Sequence, residues 1–161
     1  MLHRPRRARR NGAIVNISSI GARICPPGSG YYAASKAALE AMSGSLRREL
    51  QPLGIAVMAV EPGAFRTDFA GRSLTQSAEA IADYADTAGR RRKEHDTVDG
   101  TQPGDPAKAA RAIITALASA EAPSLLLLGT DALTAAGMVL RAQHAELDAW
   151  RDLSASTDLA G

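Results

Sequence analysis

The chain has 161 residues, 45% of them hydrophobic and 22% charged, a balance that fits one soluble globular domain with a single core. A formal charge of +2 is too small to predict a nucleic-acid partner, although six basic side chains (His3, Arg4, Arg6, Arg7, Arg9, Arg10) fall within the first ten residues. No apolar run approaches the length that spans a bilayer, no secretory core follows the basic start, and the lone Cys25 excludes an intramolecular disulfide or a cysteine-based zinc cluster. These features predict a cytoplasmic protein with no membrane partner, no nucleic-acid partner and no metal site.

After an Asn11-Gly12 turn, the β-branched run 13–17 (Ala-Ile-Val-Asn-Ile) reads as a buried parallel strand. Residues 21–30 hold three glycines and Pro26-Pro27 and read as a loop, with Ser29 placed to cap the helix that follows. That helix, over 31–53, spaces Leu39, Met42, Leu46, Leu50 and Leu53 by threes and fours, with Arg47, Arg48 and Glu49 turned mostly outward. Pro52 and Gly54 end it, and Ile55 to Val60 forms a second apolar strand closed by Pro62-Gly63.

Strand, amphipathic helix and strand with short links make a βαβ crossover, so the fold class is α/β with a parallel sheet. Over 66–104 the apolar periodicity fades into a substrate or lid loop, with a short helix at 79–88. Asp105-Pro106 opens another helix with Ala109, Ile113 and Leu117 inward, 125–128 supplies a third strand, and 131–153 is helical with Leu133, Leu140 and Leu147 seven apart. Core packing and an oligomer contact explain that last spacing equally well. The chain therefore divides into a strand-loop-helix-strand unit (11–65), the loop (66–104) and a helix-strand-helix unit (105–153) within one partial Rossmann-like domain.

Tyr32 and Lys36 lie four apart on one helix and share a face, while Tyr31 points elsewhere. A phenol titrates near pH 10 in water, so it is a poor base at neutral pH unless a cation favours its anion. The Lys36 ammonium is such a cation. Ser19 sits at the carboxyl end of the first strand, where open α/β sheets place their ligands, and its hydroxyl can hold a substrate oxygen. An acid/base phenol, a cation beside it and a polarising hydroxyl suit proton transfer coupled to hydride transfer. Tyr-x-x-x-Lys and Ser-Ser are each common by chance; their conjunction with the strand, the Gly/Pro loop and Pro-Gly is not.

The segments Ile14-Val15-Asn16-Ile17-Ser18-Ser19-Ile20-Gly21, Tyr32-Ala33-Ala34-Ser35-Lys36-Ala37-Ala38-Leu39 and Glu61-Pro62-Gly63-Ala64-Phe65-Arg66-Thr67 resemble the short-chain dehydrogenase/reductase family, closely over 11–68 and more loosely to the end. The resemblance implies that Ser19 orients the substrate oxygen, that Tyr32 is the catalytic acid/base, and that Lys36 favours the Tyr32 anion and bonds the nicotinamide ribose. Pro62, Gly63, Phe65 and Thr67 are expected to line the nicotinamide site. It further implies NAD or NADP as cofactor, an alcohol/carbonyl small molecule as substrate, and a homo-oligomer or association with full-length relatives.

In that family a glycine-rich turn at a helix N-terminus receives the cofactor pyrophosphate. Here Gly28-Ser29-Gly30 opens the Tyr32 helix instead, and no other stretch supplies the turn. The sequence from Arg6 to Gly12 resembles the tail of the helix that precedes the first strand, so the chain reads as the C-terminal, catalytic half of the fold, truncated and inactive alone, with its first strand an open sheet edge. The alternatives are a non-catalytic remnant or interaction subunit that binds full-length relatives, and an epimerase or dehydratase of the extended relatives, which the compact 62–67 segment disfavours. A hydrolase gains no support, because His3, His95 and His144 join no serine-histidine-acid or zinc pattern.

Overall fold

A computed structural model of the chain describes residues 12–71, 73–77 and 79–159. The basic cluster at 4–10 and all but Gly12 of the expected helix tail lie outside the described residues. Strand β1 (Gly12–Ile17) leads through a one-turn helix α1 (Gly21–Ile24) to helix α2 (Gly30–Leu50), a 3-10 turn (Gln51–Leu53) and strand β2 (Ile55–Pro62). Helix α3 (Arg90–Val98), helix α4 (Pro106–Ala118), strand β3 (Leu125–Leu128), helix α5 (Thr130–Ala149) and a short α6 (Arg151–Ala155) complete the chain.

The three strands form one parallel sheet in the order β1-β2-β3, with Ile14 opposite Val57 and Val60 opposite Leu126. The fold is thus the α/β, Rossmann-like sheet the sequence predicts. β2 is central and consists almost wholly of apolar residues because both its faces are covered. Val57 and Ile55 pack with Leu46, Leu50, Leu53 and Ile14 under α2. Met58 and Val60 point the other way and pack with Ala109, Ala112, Ile113, Ala116 and Leu117 of α4. Since β1, β2 and β3 step across the sheet in one direction, crossovers on opposite faces are of opposite hand. One of them therefore departs from the usual right-handed rule. No described strand pairs with the other edge of β1.

Several local expectations change. The 21–30 loop contains α1, which ends at Cys25 in a left-handed conformation (φ 43°). Ser29 precedes α2 but makes no side-chain cap bond; its carbonyl receives the Ala33 amide. Asp105 does cap α4, accepting the amides of Ala107 and Lys108. Within 66–104 the short helix expected at 79–88 is a 3-10 turn at Ala82–Tyr84 and a π-turn at Ala85–Gly89, and the helical path runs on into α3, so Arg90 to Glu94 are helical as well. The excursion closes on itself where Phe65 bridges Gly104, with Arg66 donating its amide to Gly104 and its guanidinium to the Gln102 carbonyl.

On α2, Met42 is 52% exposed, and the inward face is set instead by Ala33, Ser43 and Leu50. Arg47, expected outward, reaches back to the carbonyls of Val57 and Ala122, both at 2.9 Å, and ties the start of β2 to the turn before β3.

Candidate active site

The expected site residues gather at the carboxyl edge of the sheet. β1 ends at Ile17, and the chain stays bonded to β2 for two further steps, Ser18 N–H to the Val60 carbonyl (2.7 Å) and Ile20 N–H to the Pro62 carbonyl (3.1 Å). This extends the strand just far enough to present Ser19 beyond its end. Ser19 Oγ accepts the Gly21 amide at 3.0 Å, so the hydroxyl proton of Ser19 remains available to a further acceptor.

Tyr32 is half-buried in the first turn of α2, whereas Tyr31 is 98% exposed, as their positions on the helix require. The contact between Ser19 and Tyr32 runs through Gly21. A Cβ placed on Gly21 would lie 3.2 Å from both Ser19 Oγ and Tyr32 Cε1, so the hydroxyl and the phenol ring converge on one glycine. Lys36 Nζ stands 5.8 Å from the centre of the Tyr32 ring and donates to the Ile17 carbonyl at 2.9 Å. Phe69 approaches the same ring, centroid to centroid 5.8 Å at 48°, so the chain leaving β2 folds back to the phenol.

Pro62, Phe65 and Thr67 line an apolar cleft of about 240 Å³ together with Ile17, Val60 and the α4 residues Ala109 and Ile113. Gly63 is not part of that lining. It lies against the carboxylate of Asp131, at the start of α5, which accepts the Ala64 amide at 2.7 Å. Asp131 escaped the sequence reading because a lone acid in a helical first turn looks like an ordinary partner of the helix dipole.

A second cluster lies directly beneath this edge. Glu61 is wholly buried at the end of β2 and accepts both Arg23 Nε (3.0 Å) and Arg23 Nη2 (2.6 Å). That ion pair raises the Arg23 guanidinium above its ordinary value. Glu40 of α2 accepts the hydroxyl of buried Ser18; burial and the neighbouring Glu61 push the Glu40 carboxyl up, against the Ser18 hydrogen bond. The available signal was a single acid at the end of the otherwise apolar 55–61 run, since a charge in a buried strand demands a partner. Among the described residues no cluster of histidine, cysteine or acid side chains is arranged to hold a metal, and no helix is long and apolar enough to cross a membrane.

The short chain dehydrogenase family profile matches residues 2–78. Oxidoreductase BOA17 of Botryotinia fuckeliana is 34% identical over 148 residues, 92% of this chain and 54% of that protein. A 3-ketodihydrosphingosine reductase of Bacteroides thetaiotaomicron is 45% identical over 83 residues, 51% of this chain and 30% of its own. Among solved structures, a short-chain dehydrogenase from Streptomyces avermitilis superposes with a TM-score of 0.86 at 42% identity, over 96% of this chain and 56% of that one. A short chain dehydrogenase from Burkholderia cenocepacia in complex with NADP gives a TM-score of 0.59 at 25% identity, over 88% of this chain and 49% of that one. The chain belongs to the short-chain dehydrogenase/reductase family, a family of oxidoreductases. It spans about half the length of the relatives that match it over most of its own.

Proposed function

We propose that the chain carries the substrate and acid/base part of a nicotinamide-dependent oxidoreductase that interconverts an alcohol and a carbonyl. The observation that carries this reading is the convergence of the Ser19 hydroxyl and the Tyr32 ring on Gly21, with the Lys36 ammonium beside the same ring. In the reducing direction Tyr32 gives its phenolic proton to the substrate oxygen and takes it back in oxidation. Ser19, whose oxygen is already engaged by the Gly21 amide, donates its own proton to the same substrate oxygen. Lys36 favours the tyrosinate left behind; one of its three protons is spent on Ile17, and another remains for a ribose hydroxyl.

The residues present fit the nicotinamide end of NAD or NADP: Pro62, Phe65 and Thr67 offer apolar walls to a flat ring at the carboxyl edge of the sheet. When bound, the cofactor supplies the centre that gives or accepts hydride. For the pyrophosphate end we look to polypeptide beyond these 161 residues, in a longer form of the chain or in another chain, because Gly28-Ser29-Gly30 leads into α2. The NADP-bound Burkholderia relative supports a nicotinamide cofactor without choosing between NAD and NADP. A cytoplasmic setting fits the single, exposed Cys25.

Exposed Leu133, Leu140, Leu147 and Trp150 along α5 favour a second reading, a subunit that associates with copies of itself or with full-length relatives and performs no chemistry of its own. Two measurements test the first reading. Titration of the 161-residue chain with reduced nicotinamide cofactor, followed by fluorescence, gives no saturable binding on the first reading; a micromolar dissociation constant, about −8 kcal/mol, refutes the need for a nucleotide-binding half. With that half restored, Tyr32→Phe abolishes turnover and leaves cofactor binding largely intact, and retained turnover refutes the acid/base role.

A further inference from the structure

The turn that presents Ser19 is weak on its own. Helix α1 has four residues, too few to be stable without tertiary support. It is closed by two helical bonds, Ile24 N–H to the Ile20 carbonyl and Cys25 N–H to the Gly21 carbonyl, both 3.1 Å. It ends at Cys25, a non-glycine residue held at φ 43°, a conformation that costs free energy. Yet this turn supplies the Gly21 amide that fixes the Ser19 hydroxyl. The turn packs against α2 and α5, and among its described side chains Arg23 is the one that hydrogen-bonds into the protein, with a two-pronged grip on the fully buried Glu61.

We propose that Arg23 is a positioning residue: its two hydrogen bonds to Glu61 lock the 19–24 turn onto the end of β2 and hold the Ser19 hydroxyl beside Tyr32. This role rests on Ser19 and Tyr32 serving as set out above.

The charges around the pair fit the assignment. From β2 comes Glu61, from α1 Arg23, from α2 Glu40, and from the end of β1 the Ser18 hydroxyl, which donates to Glu40 and lies 3.4 Å from the Lys36 carbonyl. Burial favours the protonated form of Glu40. Arg23 and Glu61 face each other as one guanidinium against one carboxylate, so neither charge is buried without a partner. The planar fork of arginine matches both oxygens of Glu61; a lysine ammonium is a single point of attachment and fixes no angle. The turn is therefore held in orientation as well as in place.

The test is a cycle of Arg23→Met, Ser19→Ala and the double variant in the enzyme with its nucleotide-binding half, read as kcat and as the KM for cofactor. Arg23→Met is expected to lower kcat by about ten- to a hundredfold, the effect of misplacing a reacting group by about 1 Å, with the cofactor KM unchanged. In the Ser19→Ala background it is expected to add nothing, because there is no hydroxyl left to misplace. Arg23→Lys is expected to recover little.

Unchanged kcat in Arg23→Met, or a loss that multiplies that of Ser19→Ala, overturns the proposal. If Ser19→Ala itself keeps full turnover, the reading of Ser19 fails, and hydrogen exchange of the Gly21 amide decides the rest: exchange at least about tenfold faster in Arg23→Met keeps the anchoring role, and unchanged exchange removes it. Should Arg23→Met fail to fold because it strands the Glu61 charge, the paired Arg23→Met/Glu61→Met variant, which buries no lone charge, carries the same cycle with the same outcomes.

Discussion

Asp131 accepts the amide proton of Ala64 at 2.7 Å, tying the first turn of α5 to the chain that leaves β2. The carboxylate fills the space a side chain on Gly63 would take, since a Cβ there would stand 2.3 Å from its oxygens. Asp131→Ala and Gly63→Ala should thus break the same contact, one by removing the acceptor and the other by pushing it away. Each is expected to lower unfolding free energy by about 1–2 kcal/mol, and the double variant by little more than the larger single loss. Urea unfolding of the three variants checks this; losses that simply add show two separate contacts.

Gly21 is the narrowest point between Ser19 and Tyr32. Its φ is not in the left-handed range, so alanine is acceptable to the backbone, but the new methyl would sit 3.2 Å from both the hydroxyl and the ring. Gly21→Ala is expected to change stability by less than about 1 kcal/mol while cutting kcat by about a hundredfold through displacement of Ser19 or Tyr32. Turnover close to that of the parent would show that the two groups tolerate being spread apart.

The raised pKa of Glu40 has a definite sign in stability. A carboxyl whose folded-state pKa lies above its unfolded value of 4.5 contributes stability that is complete below pH 4.5 and is lost as pH rises through the folded value. Glu40→Gln, which keeps an acceptor for Ser18 and never ionises, should remove this component. Thermal midpoints of parent and variant are expected to converge at acid pH and to separate in favour of the variant above it. A parent that gains on Glu40→Gln with rising pH would reverse the assignment.

Gly104 closes the 66–104 excursion. A Cβ there would meet the Phe65 ring at 2.6 Å and the Ala64 carbonyl oxygen at 2.7 Å, and the latter belongs to backbone that cannot swing aside. Gly104→Ala is expected to cost about 1–3 kcal/mol and to release the segment that follows β2. Limited proteolysis is the direct measurement: cleavage within 66–104 should quicken relative to the rest of the chain, and an unaltered pattern would show that the Phe65–Gly104 bridge is not what holds the excursion closed.

The parts legible in the sequence are those fixed by local pattern. The apolar runs of β1, β2 and β3, the Pro52 and Gly54 stop after α2, and the Asp105-Pro106 start of α4 each depend on neighbours a few residues away. So does the pairing of Tyr32, rather than Tyr31, with Lys36, which follows from helical spacing. What escaped depends on distant residues. Arg47 looked solvent-facing because its own helix gives no hint of the carbonyls of Val57 and Ala122. Met42 matches the apolar spacing of α2, yet the inward face is shifted toward Ala33, Ser43 and Leu50, in part because Asn16 of β1 reaches Ser43 at 2.8 Å. The opposite-face placement of α4 is written in no periodicity, since an amphipathic helix is equally content on either side of a sheet buried on both.

The outer edge of β1 sets a rule of register. Ile14 packs toward α2 and Val15 toward α4, so a strand arriving from elsewhere must match an alternation already decided by the two helical layers; a slip by one residue would turn its every side chain to the wrong layer. Any strand added along that edge would thus be read through the odd-even order of one six-residue strand.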